Sequence, residues 1–179
     1  DGTVMADPET VLCVNGLRKV YAGGIMQPQK VAVHGAHFAV TKGMCFGLLG
    51  VNGAGKTSTF GMLTGEVAPT EGEAWVNGHS VLTDMELVRQ GIGYCPQFDA
   101  LLDNMTGREH LRLYARTKGV AEEDVEATAQ ELMDLVSLTP HADKISADYS
   151  GGNKRKLSLA IALVGNPKLV FLDEPTSGM

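Results

Sequence analysis

The stretch GVNGAGKTS, residues 50–58, constrains this chain more than any other segment. It satisfies the spacing G-x-x-x-x-G-K-[ST], with Gly50, Gly55, Lys56 and Thr57 at the fixed positions. The apolar run MCFGLLG before it predicts a strand, and KTSTFGMLTG after it predicts a helix. Glycines let successive backbone N–H groups converge on a phosphate, and a helix N-terminus adds partial positive charge. The sequence therefore predicts a strand, a phosphate-binding loop and a helix.

Within this loop, Lys56 is expected to reach the β- and γ-phosphates of a nucleotide, and the Thr57 hydroxyl to ligate Mg²⁺. The predicted nucleotide contacts are Gly50, Asn52, Gly53, Ala54, Gly55, Lys56, Thr57 and Ser58. The alternative is a glycine-rich turn that matches the spacing by chance. The flanking strand and helix patterns argue against that alternative, because the motif requires both.

A second predicted strand, KLVFLDE, is apolar until it ends in two carboxylates, Asp173 and Glu174. Such a run is typical of a buried strand in a parallel sheet. Asp173 is expected to hold Mg²⁺ directly or through water, and Glu174 to polarise the water that attacks the γ-phosphate. The alternative for an acidic pair is a helix cap, which the preceding buried strand disfavours.

A second glycine pair lies in YSGGNKRKLS, residues 149–158, where Ser150 is predicted to cap a helix. Two glycines behind a capping serine can also bind a phosphate. The chain thus carries two phosphate-binding motifs. The basic run Lys154, Arg155 and Lys156 is interpreted as a solvated surface in preference to a phosphate or interface role.

Composition limits the remaining possibilities. The chain has 179 residues, a formal charge of −6 and three widely spaced cysteines, which indicate a globular domain in a reducing compartment without disulfides. The acidic balance argues against nucleic acid as the main partner. The sequence has neither an apolar run near 18 residues nor a signal peptide, so no direct membrane insertion of this segment is expected. Because it starts at Asp1 and stops after a strand, we expect a piece of a longer polypeptide.

Several local patterns predict secondary structure. Residues 11–21 and 29–40 are expected to be strands around a turn, with further strands near 72–82 and 91–97. Residues 83–90 are expected to be helical, with Thr83 or Asp84 as the cap. From about 101 to 148 the pattern is helical, with a capping box from Thr106 to Glu109. A buried helix stripe is predicted at Val125, Ala129, Leu132 and Val136.

The order GVNGAGKT, CPQ, YSGGNKRKLS and LVFLDEPTSG resembles the nucleotide-binding domain of ATP-binding-cassette (ABC) transporters over nearly the whole chain. These segments are similar to that family's Walker A, Q-loop, signature and Walker B motifs. The segments GLLGVNGAGKTSTFGMLTGE and GYCPQFDALLDNMTGREHL resemble the A subfamily, many of whose members move lipids or sterol-related molecules.

The resemblance implies an α/β fold: a three-layer P-loop NTPase (RecA-like) core with an antiparallel β-subdomain and an inserted α-helical subdomain. Residues 1–179 would form a partial nucleotide-binding domain without its C-terminal part. Within it, 11–100 would hold the β-subdomain and the Walker A core, 101–148 the helical subdomain, and 149–179 the signature helix and the Walker B strand.

The resemblance also answers why there are two phosphate motifs. In the family, two domains pack head to tail, and Ser150, Gly151 and Gly152 would contact the γ-phosphate held by the partner domain. Gln97 would touch Mg²⁺ or the attacking water, and Tyr21 would stack on adenine. Asn153 replaces the family's usual glutamine, so the resemblance specifies its contact less closely.

The implied function is MgATP binding and hydrolysis that powers export or flipping of a lipid-like substrate. The expected partners are a second nucleotide-binding domain and the transmembrane domains of the same polypeptide, at the cytosolic face of a membrane. The family's D-loop aspartate and switch histidine would follow Met179, so the isolated fragment is expected to hydrolyse ATP poorly.

The sequence allows three alternative interpretations. The first is a soluble cassette ATPase that clamps nucleic acid or ribosomes. The acidic charge and the compact insertion disfavour the clamp on nucleic acid, whereas only the resemblance to the A subfamily disfavours the ribosome-acting form. The second is an unrelated P-loop kinase, which would leave YSGGNKRK unexplained. The third treats His34 and His37 as a metal pair, but residues three apart on a strand face opposite sides and no third ligand is evident.

Overall fold

The computed structural model describes residues 9–23 and 28–174 of the chain. They belong to two compact units, Asp1–Gly91 and Ile92–Met179, called here the first and the second unit. The turn expected around residues 22–29 falls in part on 24–27, and the tail of the Walker B segment on 175–179; both lie outside the described residues.

The first unit is built on an antiparallel sheet. Its strands are β1 (Thr10–Tyr21), β2 (Lys30–Thr41), β3 (Glu71–Val76) and β4 (His79–Ser80), in the order β2-β1-β3-β4. The pairing of β1 with both neighbours shifts register near Gly16, which has a φ of 63°. This bulge lets Val14 and Leu17 both be buried, although they are three residues apart. The strands expected near these positions are confirmed.

Two helices accompany this sheet, and a tight turn joins its last two strands. Helix α1 (Lys56–Thr64) contacts β1 and β2, and helix α2 (Met85–Gly91) contacts β4. Asn77 and Gly78 have φ values of 51° and 83°, as a two-residue hairpin turn of the Asn-Gly type requires. The fully buried Met62 and Leu63 of α1 belong to the core of this unit.

The strand expected at MCFGLLG is not present: residues 44–50 form no strand. Leu49 is 92% exposed and Met44 54%, while the Phe46 ring stacks on Phe38 with 5.0 Å between centroids. A strand needs a neighbour that pairs with its backbone N–H and C=O groups. All described strands of the first unit pair antiparallel with each other, and none pairs with this segment. Local hydrophobicity therefore predicted a strand that lacks a partner within its unit.

The second unit combines a short parallel strand pair with three main helices. Strands β5 (Ile92–Cys95) and β6 (Leu169–Leu172) pair in parallel, and their C-terminal ends lead to Gln97 and to Asp173 and Glu174. The helices are α3 (Gly107–Thr117), α4 (Val125–Leu135) and α5 (Gly151–Leu163). Short 3-10 turns lie at Glu122–Asp124, Thr139–His141 and Ser146–Asp148. Helix α5 packs on β5.

The three helices pack on each other through a continuous apolar cluster. The stripe expected on α4 is buried as predicted, with Val125, Ala129, Leu132 and Val136 each at most 8% exposed. Leu111 of α3 and Leu157 of α5 complete this cluster. None of the helices within the described ranges is long and apolar enough to cross a membrane.

Candidate functional site

The glycine-rich loop before α1 depends on two left-handed residues. Gly53 and Gly55 have φ values of 84° and 94°. A Cβ at Gly55 would lie 2.2 Å from the carbonyl oxygen of Ala32, so no side chain fits there without moving β2. The loop therefore needs glycine at position 55 both for its backbone conformation and for its close packing on the sheet.

Lys56 is the first residue of α1, and its ammonium group folds back over the loop. The Nζ atom donates to the carbonyl oxygens of Gly50 at 2.7 Å and Val51 at 3.3 Å. The Thr59 hydroxyl donates to the carbonyl oxygen of Gly55 at 2.9 Å and closes the first helical turn. These contacts place a positive charge beside exposed backbone at a helix N-terminus, which suits an anion such as a phosphate.

Tyr21 ends β1 beside the same helix. Its hydroxyl group donates to Ser58 Oγ at 3.3 Å, and the Lys19 ammonium lies 5.1 Å from the ring centroid. The structure thus brings Tyr21 to the loop residues, as a role in binding the base of a nucleotide requires. Thr57 is exposed at the start of α1.

In the second unit, the ends of the two parallel strands bring Gln97 and Glu174 together. Gln97 follows β5 and donates from Nε2 to Glu174 Oε2 at 3.0 Å. The Asp173 amide donates to the carbonyl oxygen of Cys95 at 2.9 Å, which extends the ladder to the carboxylates. Asp173 is 3% exposed, and Glu174 has a left-handed φ of 45°. An unfavourable backbone conformation at a carboxylate is a frequent feature of functional sites.

The residues that were expected to hold MgATP also fit that ligand chemically. Mg²⁺ prefers oxygen ligands, which Thr57, Gln97 and Asp173 all carry. No group of three or more His, Cys, Asp or Glu side chains is arranged to hold a metal among residues 9–23 and 28–174. His37 has a structural contact, because its Nδ1 accepts the amide N–H of Gly16 at 3.1 Å.

The second glycine motif begins α5, as expected. Ser150 has an extended backbone, and its side chain accepts the amide N–H of Asn153 at 3.3 Å. Ser150 and Gly151 are exposed, and a Cβ at Gly152 would meet open space. Among residues 9–23 and 28–174, packing therefore gives no reason for glycine at position 152.

The prediction that Arg155 is solvated is wrong. Its side chain is 3% exposed, and it donates to carbonyl groups at the ends of both parallel strands. A charge run suggested a surface, but helical spacing places Arg155 on the face of Ser158 and Ala162, which are also buried. This i, i+3, i+7 pattern on α5 is the sequence signal that could have predicted the burial of Arg155.

Burial also changes the thiol at the end of β5. Desolvation raises the pKa of Cys95, while the nearby Arg155 guanidinium opposes the rise. Cys95 is 1% exposed, so at neutral pH it is a neutral thiol inside the unit. The Cys95 side chain packs in the interior, and its backbone pairs with β6.

Solved structures define the class of protein. The ATP-binding subunit of an ABC transporter superposes with a TM-score of 0.81 at 30% identity, covering 94% of this chain and 68% of that one. A dimeric post-hydrolysis state of the ATP-binding cassette MJ0796 bound to ADP and Pi matches with a TM-score of 0.84 at 24% identity, covering 94% of this chain and 75% of that one. The α/β fold of a P-loop ATPase domain, expected from the motifs, is confirmed.

Residues 33–177 match the family model described as ABC transporter, and the chain belongs to that family. Phospholipid-transporting ATPase ABCA3 of Rattus norvegicus is 54% identical over 171 residues, 96% of this chain. Retinal-specific phospholipid-transporting ATPase ABCA4 of Bos taurus is 54% identical over 169 residues, 94% of this chain. ATP-binding cassette sub-family A member 2 of Rattus norvegicus is 55% identical over 166 residues, 93% of this chain.

The resemblance to the A subfamily is confirmed by these relatives. The chain spans only 10% of the length of the first relative and 7% of the other two.

Proposed function

We propose that this chain binds and hydrolyses MgATP to drive movement of a phospholipid or similar lipid by transmembrane domains of the same polypeptide. The observation that carries the proposal is the Lys56 ammonium held over a glycine loop at the start of α1. Similarity to relatives named as phospholipid-transporting ATPases supports the substrate class. We place the domain at the cytosolic face of the membrane, where ATP is available.

In this proposal the loop of the first unit binds the nucleotide. Backbone N–H groups of residues 50–58 bind the β-phosphate, and Lys56 binds the β- and γ-phosphates. Thr57 offers its hydroxyl to Mg²⁺, and Tyr21 stacks on the adenine. This assignment uses the left-handed Gly53 and Gly55, because they open the loop backbone to an anion.

The strand ends of the second unit supply the hydrolytic groups. Asp173 and Gln97 are assigned to Mg²⁺, which neutralises phosphate charge when it is bound. Glu174 polarises the attacking water by accepting its proton. The hydrogen bond from Gln97 Nε2 to Glu174 Oε2 orients that carboxylate.

The signature residues Ser150, Gly151 and Gly152 are assigned to a nucleotide held by a second domain. Two features support this assignment: Ser150 and Gly151 are exposed at a helix N-terminus, and a Cβ at Gly152 would meet open space within the described part of the chain. Glycine at such a position is explained if another molecule approaches closely. ABCA3 and ABCA4, which are more than 50% identical to this chain, are named as phospholipid-transporting ATPases, so the alternative of a soluble ATPase that clamps nucleic acid or ribosomes has no support.

The test is ATP hydrolysis and lipid movement by the full-length protein in liposomes that contain a labelled phospholipid. We expect Lys56→Met to weaken ATP binding and abolish both activities. Glu174→Gln should retain ATP binding and lose about 10²- to 10⁴-fold in kcat, the range that general-base groups contribute. The control Glu123→Gln removes an exposed carboxylate from the helical region.

Two results would contradict the proposal. Hydrolysis by Glu174→Gln at the rate of the wild type would remove Glu174 from the chemistry. Normal ATP hydrolysis without movement of any tested phospholipid would leave the ATPase assignment intact but refute the substrate class.

A further inference from the structure

Arg155 is a buried cation on the helix that carries the second glycine motif. Its side chain is 3% exposed, whereas its neighbours Lys154 and Lys156 are half-buried. Removing a guanidinium from water costs several kcal/mol unless hydrogen bonds and an opposite charge compensate. The partners of Arg155 therefore show what this charge does in the fold.

One side of the guanidinium holds the segment after β5. Nη1 donates to the carbonyl oxygen of Pro96 and, at 3.4 Å, to that of Gln97. The same nitrogen lies 3.5 Å from Asp99 Oδ1, which also accepts the Ser158 hydroxyl at 2.7 Å. Residues 96–99 are thus tied to α5 through two side chains one helical turn apart.

The other side of the guanidinium holds the end of β6. Nη2 donates to the carbonyl oxygens of Asp173 at 2.7 Å and Glu174 at 3.0 Å. One side chain therefore fixes the backbone of both Gln97 and Glu174, whose own side chains meet at 3.0 Å.

The shape of the arginine side chain suits this task. Its planar fork presents donors in several fixed directions, so it can bind two separate segments at once. A lysine ammonium is a compact charge on a flexible stem and cannot reproduce that fork. Replacement by lysine should keep the charge but loosen one of the two segments.

We propose that Arg155 is a positioning residue for ATP hydrolysis, which holds Gln97 and Glu174 in the geometry that directs the attacking water. This inference rests on the proposed function of the same site. Arg155 touches the backbone of these residues, so it acts through them. It also ties them to α5, which begins at Gly151 with Ser150 as its N-cap.

The experiment compares Arg155→Lys with the wild type in the full-length protein, with kcat expressed per ATP-binding site counted by a fluorescent ATP analogue. We expect about a 10- to 100-fold loss in kcat with KM for ATP unchanged, because small misplacement of a catalytic group costs that much. Lys156→Met, which removes the next cation along α5, is the matched control and should retain wild-type kcat.

A purely structural role predicts a different pattern. In that case active sites would be lost in proportion to activity, and kcat per remaining site would stay at the wild-type value, which would overturn the inference. Asp99→Asn provides a second, milder variant that leaves Arg155 in place. It should lower kcat less than Arg155→Lys, again without a change in KM, and unchanged kcat in both variants would refute the inference.

A double-mutant cycle tests whether Arg155 acts through Gln97. If it does, adding Arg155→Lys to Gln97→Ala should cost less than about 3-fold beyond Gln97→Ala alone, since coupled residues are not additive. Full multiplication of the two losses, both in this cycle and in the matching cycle with Glu174→Gln, would place Arg155 elsewhere in the mechanism and overturn the proposal.

Lys56→Met separates this inference from the function on which it rests. If the wild type and Lys56→Met hydrolyse ATP equally, the proposed function fails and the inference falls with it. If Lys56→Met is inactive and Arg155→Lys keeps the wild-type kcat, only the inference about Arg155 fails.

Discussion

A Cβ built on Gly55 would lie 2.2 Å from the Ala32 carbonyl oxygen and 3.1 Å from Val33 Cγ2. The residue also has a φ of 94°, which L-amino acids rarely adopt. Two independent penalties, one of backbone conformation and one of packing, therefore fall on the same position.

We expect Gly55→Ala to lower the free energy of unfolding by about 2 kcal/mol, within the range for strained backbone positions, and to abolish ATP binding. Trp75, the one tryptophan in the sequence, lies on β3 of the same unit, so its fluorescence during urea denaturation reports the change. Gly152→Ala, whose Cβ would meet open space, is the control for stability. Equal destabilisation of both variants would contradict this account.

Lys56, Glu174 and Arg155 differ in how far their local sequence predicts their surroundings. Local patterns predict roles for Lys56 and Glu174, because the first stands at a fixed position of a loop motif and the second at the end of an apolar strand. Arg155 was misassigned, since a run of three cations is locally indistinguishable from a solvated surface. Its burial depends on partners 18 to 59 positions away in the sequence, from Asp173 at the near end to Pro96 at the far end.

Helix α3 shows at the scale of an element how local signals act. The Thr106 side chain accepts the Glu109 amide N–H, and the Glu109 carboxylate accepts the Thr106 amide N–H at 2.8 Å. These reciprocal bonds satisfy donors that the first turn would otherwise leave unpaired. The capping box was predictable because all its atoms lie within four consecutive residues.

We expect Thr106→Ala to lower the free energy of unfolding by about 1 kcal/mol, the usual effect of losing an N-cap. Far-UV circular dichroism during urea denaturation measures it. Thr117→Ala at the other end of α3 is the matched control, because its hydroxyl only bonds back to the Leu113 carbonyl oxygen at 2.9 Å. If Thr117→Ala destabilised as much as Thr106→Ala, capping would not explain the effect.

Strand β5 and helix α5 show an element contact that local sequence does not reveal. A Cβ on Gly93 would lie 1.9 Å from the carbonyl oxygen of Ala162. The strand and the helix therefore approach as closely as backbone permits. This proximity is what lets Arg155 of α5 reach residues at the ends of both β5 and β6.

Over the whole molecule, the net charge of −6 includes acids whose pKa values the fold shifts. A hydrogen bond from the Thr106 backbone lowers the pKa of Glu109, and one from Arg116 lowers that of Glu122. A hydrogen bond from Thr139 lowers the pKa of Asp134. All three carboxyl groups belong to the second unit and are solvent-accessible.

These shifts predict acid-sensitive stability. A carboxyl group whose pKa is lower in the folded state stabilises the fold at pH values above its ordinary pKa, which is 4.5 for Glu and 3.8 for Asp. That contribution is lost as the pH falls through the pKa of the folded state. We expect the urea concentration at the midpoint of unfolding, measured by circular dichroism, to decrease once the pH is below about 4.5. We also expect 1 M salt to weaken the contribution of Glu122 by screening its ion pair.

The triple variant Glu109→Gln, Glu122→Gln, Asp134→Asn checks the assignment. Its midpoint should be lower than that of the wild type at neutral pH and should change less between pH 5 and 3. If the urea midpoint of the triple variant decreased as steeply between pH 5 and 3 as that of the wild type, other carboxylates would control acid unfolding.

Local sequence is enough to predict the features that a few neighbouring residues complete: the glycine loop of residues 50–58, the cap of α3, the buried stripe of α4 and the Ser150 cap of α5. Contacts between distant segments decide which apolar run pairs as a strand and which cation is buried. Residues 44–50 have strand character but no strand partner in their unit, and Arg155 has carbonyl partners from two distant segments. The physical reason is that caps and turns satisfy their hydrogen bonds locally, whereas strand pairing and charge burial depend on groups that only folding brings within reach.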